Sequence, residues 1–178
     1  SNGSVVEASM VLDVKPAIVS FSSEDEPYYA SNLFDGDYSD ESRWKTQGLR
    51  KNIVFDLGET RTITGTNMWT YLEQSYQYKV YVSDQPDSGF WKVANKTSRR
   101  DAIDVQPLNA EFDAQARYVK VIVLGKHQNF QQWRNNYKDI KHHYFANGKK
   151  PDFKEIKQNI RDRMTNWFGI NEFEIITD

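Results

Sequence analysis

Four acidic side chains, Asp35, Asp37, Asp40 and Glu41, fall within seven residues around Gly36. Like charges at that spacing repel unless water or a cation separates them, and several hard oxygens together suit Ca2+. The strict EF-hand spacing is absent, so the residues alone admit both a solvated acidic turn and a metal site. A second stretch has the opposite sign. Residues 126–166 hold ten Lys and Arg against four Asp and Glu, and they contain all three histidines, His127, His142 and His143. The window 16–42 carries seven acids and no Lys or Arg. The formal net charge of −2 therefore conceals an acidic loop and a basic segment, each needing its own explanation.

Patterns of known catalytic chemistry are missing. Adjacent His142 and His143 on a helix point about 100° apart, which suits no shared metal, and no His pair four apart brackets a Glu. There is no Gly-x-Ser-x-Gly elbow and no Gly-rich phosphate loop after a strand. The absence of cysteine excludes a thiol nucleophile, a Cys-based zinc site and a disulfide framework. Carboxylate pairs occur, but nothing marks one as a glycosidase pair. The residues mark no catalytic site. Aromatics and bases interleave in 126–166, yet no nucleic-acid-binding motif accompanies them, and no nucleic-acid partner is expected. Two readings remain for this segment. It is either the polar outer face of helices packed by aromatic stripes on the body, or an electropositive face for a uronate, a sulfated glycan or another domain.

The elements that must position these groups are mostly strands. With 178 residues and 14% aromatics, one domain with a sizeable core is expected, and disorder is not, despite a mean hydropathy of −0.77. No apolar run is long enough to cross a membrane as a helix, and no membrane insertion is expected. Ser1-Asn2-Gly3 begins no signal peptide and reads as the trimmed end of a longer chain, with 1–16 a lead-in or linker and 17–178 the domain. Strand patterns run from Ile53 to Leu57, Thr62 to Trp69, Tyr78 to Val82, Phe90 to Val93, Arg117 to Leu124 and Ile170 to Ile176, with shorter candidates at Ala102 to Val105 and Ala110 to Phe112. Short strands at even spacing, without intervening helices, predict an all-β antiparallel sandwich or barrel.

The basic segment breaks that rhythm. Phe130, Trp133, Tyr137, Ile140 and Tyr144 recur at helical steps, as do Phe153, Ile156, Ile160, Met164 and Trp167. Asn147-Gly148-Lys149-Lys150-Pro151 stops the first helix, and Asp152 with Glu155 resembles a capping box for the second. This predicts a helical hairpin inserted at about 126–166, before the last strand. Asn2-Gly3-Ser4 and Asn95-Lys96-Thr97 match glycosylation acceptors that matter only in a eukaryotic secretory host.

Read in order, Ala30-Ser31-Asn32-Leu33-Phe34-Asp35-Gly36-Asp37, Ser42-Arg43-Trp44, Ile53-Val54-Phe55-Asp56-Leu57-Gly58, Tyr78-Lys79-Val80-Tyr81-Val82-Ser83, Trp91, Ala116-Arg117-Tyr118-Val119-Lys120-Val121 and Ile170-Asn171-Glu172-Phe173-Glu174-Ile175 form one series. It resembles the discoidin domain, or coagulation factor V/VIII type C domain, and within that group the family 32 carbohydrate-binding modules of secreted bacterial glycosidases. The resemblance covers about 17–124 and 167–178, and the helical insert has no counterpart in it.

The resemblance implies a galactose-binding-like jelly-roll sandwich whose loops at one end bind a glycan or polysaccharide, targeting an appended or partner glycosidase to it. The alternative it leaves is an adhesion or interaction module. It implies a secreted, periplasmic or cell-surface setting. It also implies a structural Ca2+, with Asp35 giving a side-chain oxygen, Asp37 a backbone carbonyl, Ser42 standing in a Thr place and Glu172 closing the site; Asp40 or Glu41 could substitute. For the ligand it points to Tyr71, Glu73, Gln74 and Tyr76, then Asn95, Arg99 and Arg100, then Trp167 or Phe168. Trp69 and Trp91 fall in strand patterns and read as core, and Trp44 reads as structural. Tyr71 and Tyr76, in a polar loop, are the expected exposed aromatics. Arg99-Arg100 reads equally as a solvated turn, and Trp167, ending a helical stripe, also reads as core.

Overall fold

The computed structural model describes residues 10–12, 15–163 and 167–178, with the side chains of 10, 128–131 and 161–163 outside that description. Eight strands pair antiparallel throughout: β1 (Met10–Val11), β2 (Ala17–Phe21), β3 (Trp44–Gln47), β4 (Lys51–Thr70), β5 (Tyr76–Ser83), β6 (Trp91–Lys96), β7 (Leu108–Lys126) and β8 (Trp167–Thr177). The expected strands at 53–57 and 62–69 are one long β4, and those at 110–112 and 117–124 are one long β7. Ala102 to Val105 is a loop.

These two long strands build the sandwich by belonging to both layers. The first half of β4 pairs with β2 and with the second half of β7, which in turn pairs with β5, and β5 with β6. The second half of β4 pairs with β8 and with the first half of β7, and β8 also carries β1 and β3. The β4–β7 register shifts between Asp56 and Arg61, around Gly58, whose φ of +88° only glycine adopts without strain. Arg117 clamps this bend with a two-pronged ion pair to Asp56, at 2.9 and 3.1 Å, and holds the Asp56 carboxyl below its ordinary range. Further along, a Cβ on Gly65 would lie 2.5 Å from the Ala110 carbonyl oxygen, so close strand contact there requires glycine.

Side chains alternating inward from both layers form the core, as the period-two runs imply. Its aromatic members interlock edge-on: Trp44 on Phe168 at 5.6 Å, Phe168 on Tyr76 at 5.9 Å and Phe34 on Phe55 at 5.1 Å. Trp44 is fully buried, as its structural reading requires. Trp91 corrects the expectation that it is core: β6 is an edge strand, and the ring is 43% exposed.

The insert is the predicted hairpin, α1 (His127–Ala146) and α2 (Phe153–Arg163). Gly148, at φ +66°, lets the chain leave α1. The Asp152 carboxylate caps α2 by accepting from the Lys154 amide at 3.0 Å. Met164, expected to extend the second stripe, lies outside the described residues. Trp167, assigned to the same stripe, is instead the first residue of β8. The stripes do not join the sandwich core. Ile140, Ile156 and Ile160 form a separate cluster with Tyr137 and Tyr144. Trp133 stacks on Tyr137 at 5.4 Å and Tyr137 meets Phe153 at 6.0 Å, all within the hairpin. The helices therefore pack on each other through their apolar stripes.

Candidate functional site

At one end of the sandwich three connections converge: β4–β5, β6–β7 and the start of the insert. Together they enclose a cleft of about 400 Å³ lined by Leu72, Glu73, Gln74, Ser75, Ala102, Asp104 and His127. The β4–β5 connection is strained. Leu72 and Glu73 both sit at φ +54°, a left-handed conformation that costs non-glycine residues roughly 1 kcal/mol or more each. Surrounding hydrogen bonds hold it there. The Leu72 amide donates to Asp40 Oδ1 at 3.0 Å, the Thr70 amide to Gln106 Oε1 at 2.7 Å, and the Thr70 hydroxyl to the Gln74 carbonyl. The outcome is an exposed Leu72, at 58%, beside Glu73 at the cleft mouth. The insert closes the far wall. The His127 amide donates to the Ser75 carbonyl at 2.9 Å, and its Nδ1 lies 3.1 Å from Gln77 Nε2. Two wall residues keep buried polar atoms without a protein partner, Gln74 Oε1 and Ser75 Oγ. Buried polar groups cost free energy unless they are hydrogen-bonded.

Beside the cleft lies a run of alternating cations and rings. The Arg43 guanidinium sits 3.7 Å from the Tyr28 ring centre and 4.4 Å from that of Tyr71. Tyr71 meets Trp167 at 5.2 Å, and both Lys45 Nζ (5.2 Å) and Lys126 Nζ (4.1 Å) approach the Trp167 ring. Such contacts fix flat side chains and contribute about 0.5–2 kcal/mol each.

The expected ligand residues divide. Tyr71 and Trp167 meet in this run, half-buried, and Glu73 and Gln74 line the cleft. Tyr76 must be corrected: it is 1% exposed, its ring packs on Phe168 and its hydroxyl accepts the Gly169 amide at 3.0 Å. It is the first residue of β5 facing the core, not a loop residue, so no sugar can stack on it. Phe168 is core for the same reason. Arg99 and Arg100 are exposed on a short 3-10 turn capped by Ser98 and Asp101, and neither lines the cleft. Asn95 is on β6, accepting from the Thr97 hydroxyl at 2.7 Å. Trp69 packs edge-on against Tyr38 at 4.6 Å. Sequence reasoning missed Leu72, Ser75, Ala102, Asp104 and His127 in the cleft, and Tyr28, Lys45 and Lys126 beside it. Only the neighbourhood of the insert pointed toward His127 and Lys126.

The acidic loop folds back on β8. The Gly36 amide donates to Glu172 Oε2 at 2.8 Å, the Ser42 hydroxyl donates to Asp35, and the Asp37 amide donates to Asp35 Oδ1 at 2.9 Å. Glu172 is only 4% exposed, and its other oxygen has no partner. Burial pushes its carboxyl up to about 7, with the nearby Asp35 adding to the effect. A buried carboxylate with an orphaned oxygen, facing Asp35 and Ser42, fits a hard cation. Among the described residues no group of three or more His, Asp or Glu side chains converges, so a site here needs hydroxyl and carbonyl oxygens as well. Asp40 is engaged elsewhere: Oδ1 accepts from both Leu72 and Asn171 Nδ2, the latter at 2.9 Å.

The chain matches the F5/8 type C domain family over residues 18–137. It belongs to that family. The match ends within α1, so it takes in the cleft loops and leaves β8 outside. No curated protein matched the chain. Among solved structures, this F5/8 type C domain is similar to the CBM32 of AlyQ in complex with 4,5-unsaturated mannuronic acid, with 19% identity over 93% of this chain and 97% of that one, at a TM-score of 0.58. It is also similar to chitosan-binding module 1 of a chitosanase/glucanase from Paenibacillus sp. IK-5, with 17% identity over 93% and 98% of the two chains and a TM-score of 0.60. A family 89 glycoside hydrolase from Clostridium perfringens matches 94% of this chain with 14% of its own length, at 16% identity and a TM-score of 0.63. These likenesses establish the galactose-binding-like jelly roll. No helix among the described residues is long and apolar enough to cross a membrane.

Proposed function

We propose that this domain is a non-catalytic carbohydrate-binding module that holds an appended or partner glycosidase against a glycan. The observation that carries the reading is the rim cleft, where a strained, exposed Leu72–Glu73 pair adjoins two wall residues with buried, unpartnered polar atoms. A pyranose offers an apolar face and a ring of hydroxyls, which such a site can receive through Leu72 and through Glu73, Gln74, Ser75, Asp104 and His127. Several similar structures are carbohydrate-binding modules, and one is part of a glycoside hydrolase, which supports the reading. A secreted or cell-surface location follows from the same proposal, because glycan substrates of such enzymes lie outside the cell.

The reading includes a structural Ca2+ held by Asp35, Ser42 and Glu172, with a carbonyl from Asp37. The ion would neutralise the acidic loop and tie it to the last strand, and it would take no part in chemistry. Asp40 relays that order to the rim through the Leu72 amide. A glycan array probed with calcium-loaded protein tests the whole. Binding to a defined glycan set that is lost on Glu73→Ala, with the fold intact, is expected, and an array without signal contradicts it.

A further inference from the structure

One charge at this rim has no counter-ion among the described residues. Lys126 is only 7% exposed, and among the described residues no carboxylate pairs with it; its ammonium rests 4.1 Å from the centre of Trp167. Burial alone lowers its affinity for a proton. An uncompensated buried cation costs several kcal/mol unless something pairs with it. The strand pattern shows that its inward direction is built in. Along β7, Val119, Val121 and Val123 point to the core, and strict alternation would send Lys126 outward with Ile122 and Leu124. A bulge intervenes. Tyr78 opposes Val123, but Gln77 opposes Gly125 and Tyr76 opposes Lys126, so β7 gains one residue and Lys126 turns inward at the top of the core. There it joins Lys45 beside the same ring, and Arg43, whose Nε is buried without a partner. His127, the next residue, already forms part of the cleft wall.

We infer that this rim selects acidic pyranoses, with the carboxylate of a uronic-acid residue seated against the Lys126 and Lys45 ammonium groups beside Trp167 and Tyr71. The inference rests on the carbohydrate-binding reading and deepens it. A ring-borne carboxylate is favoured because the cations surround aromatic side chains, so the charge must ride on the sugar that lies against them. Charge-assisted hydrogen bonds to a recessed ammonium are stronger than neutral ones and reject the uncharged analogue by leaving the cation unpaired.

The test uses the calcium-loaded full chain and calorimetric titration with a short oligouronate and its carboxyl-reduced neutral counterpart. The oligouronate should bind about tenfold or more tightly, with an affinity that falls as salt rises. Lys126→Met, which keeps a side chain on Trp167, should erase that preference while leaving the melting temperature undiminished. Equal binding of the two sugars, an undiminished preference in Lys126→Met, or binding of sulfated glycans with none of the oligouronate overturns the inference while carbohydrate binding stands. Failure of both sugars, together with a blank glycan array, removes the binding reading itself.

Discussion

Two charges with little exposure, Glu172 and Lys126, make an instructive pair. Glu172 and Lys126 are 4% and 7% exposed; one Glu172 oxygen has no hydrogen-bond partner, and among the described residues no carboxylate pairs with Lys126. They differ in what surrounds them. Glu172 accepts a backbone amide, faces a second acid and a hydroxyl, and is shut in by the 35–42 loop. Its surroundings suit a small hard ion. Lys126 lies among rings at an open rim, next to a cleft. Its surroundings suit an organic anion that arrives and leaves. On the proposed reading, a carboxylate tied to the acidic loop holds structure, and a cation beside an accessible aromatic surface recognises a ligand.

The largest expected effect tests the Glu172 side. An ion present at a hundred to a thousand times its dissociation constant stabilises by about 3–4 kcal/mol, so EDTA should lower the melting temperature by roughly 10 °C at pH 8. Glu172→Gln should remove most of that difference. The pH dependence has a definite sign. Without calcium, the folded carboxyl holds its proton more tightly than the unfolded one, at about 7 against 4.5. Its stabilising contribution is therefore full below the ordinary carboxylate range and is lost as pH rises through about 7. With calcium the ion favours the carboxylate, and that loss should disappear in a melting series from pH 4 to 8.

On the Lys126 side, substitution should split affinity from stability. Lys126→Met removes a charge with 7% exposure and no paired carboxylate among the described residues, so its melting temperature in the absence of ligand should equal or exceed that of the parent. A drop of several degrees would mean that the lysine is a structural cap. Asp40 joins the two regions. Asp40→Ala frees the Leu72 amide and Asn171, and should weaken glycan binding about five- to tenfold, or about 1 kcal/mol, because these bonds shape the Leu72 turn and do not touch the ligand. The smallest effect is expected from the hairpin. Its three isoleucines form their own cluster, so replacing Trp133 by Ala should leave the melting of the sandwich within about 1 °C.

What could be read from the sequence follows from local pattern. Strand-like runs marked β4 to β8 but not the short β1, β2 and β3, helical spacing with Asn147-Gly148 and Asp152 marked the hairpin, and the acidic cluster pointed to the loop that meets Glu172. The continuity of β4 and β7 was hidden because a bend at Gly58 looks like a strand end. The candidate rim was harder still. Tyr76 looked like a loop aromatic because nothing local shows that β5 begins there. Nothing local marks Lys126 as inward, because only the cross-strand register reveals the bulge that turns it. Leu72 and Glu73 carry no sign of their left-handed backbone, which hydrogen bonds from residues far along the chain impose.

Amide shifts during titration of the isotope-labelled, calcium-loaded domain with a bound glycan give the most direct test. The largest changes should fall on Leu72 to Ser75, Ala102, Asp104 and Lys126 to His127, with the β1–β8 end unmoved. Changes confined to the hairpin or to that opposite end, or none at any glycan concentration, would contradict a recognition site at this rim.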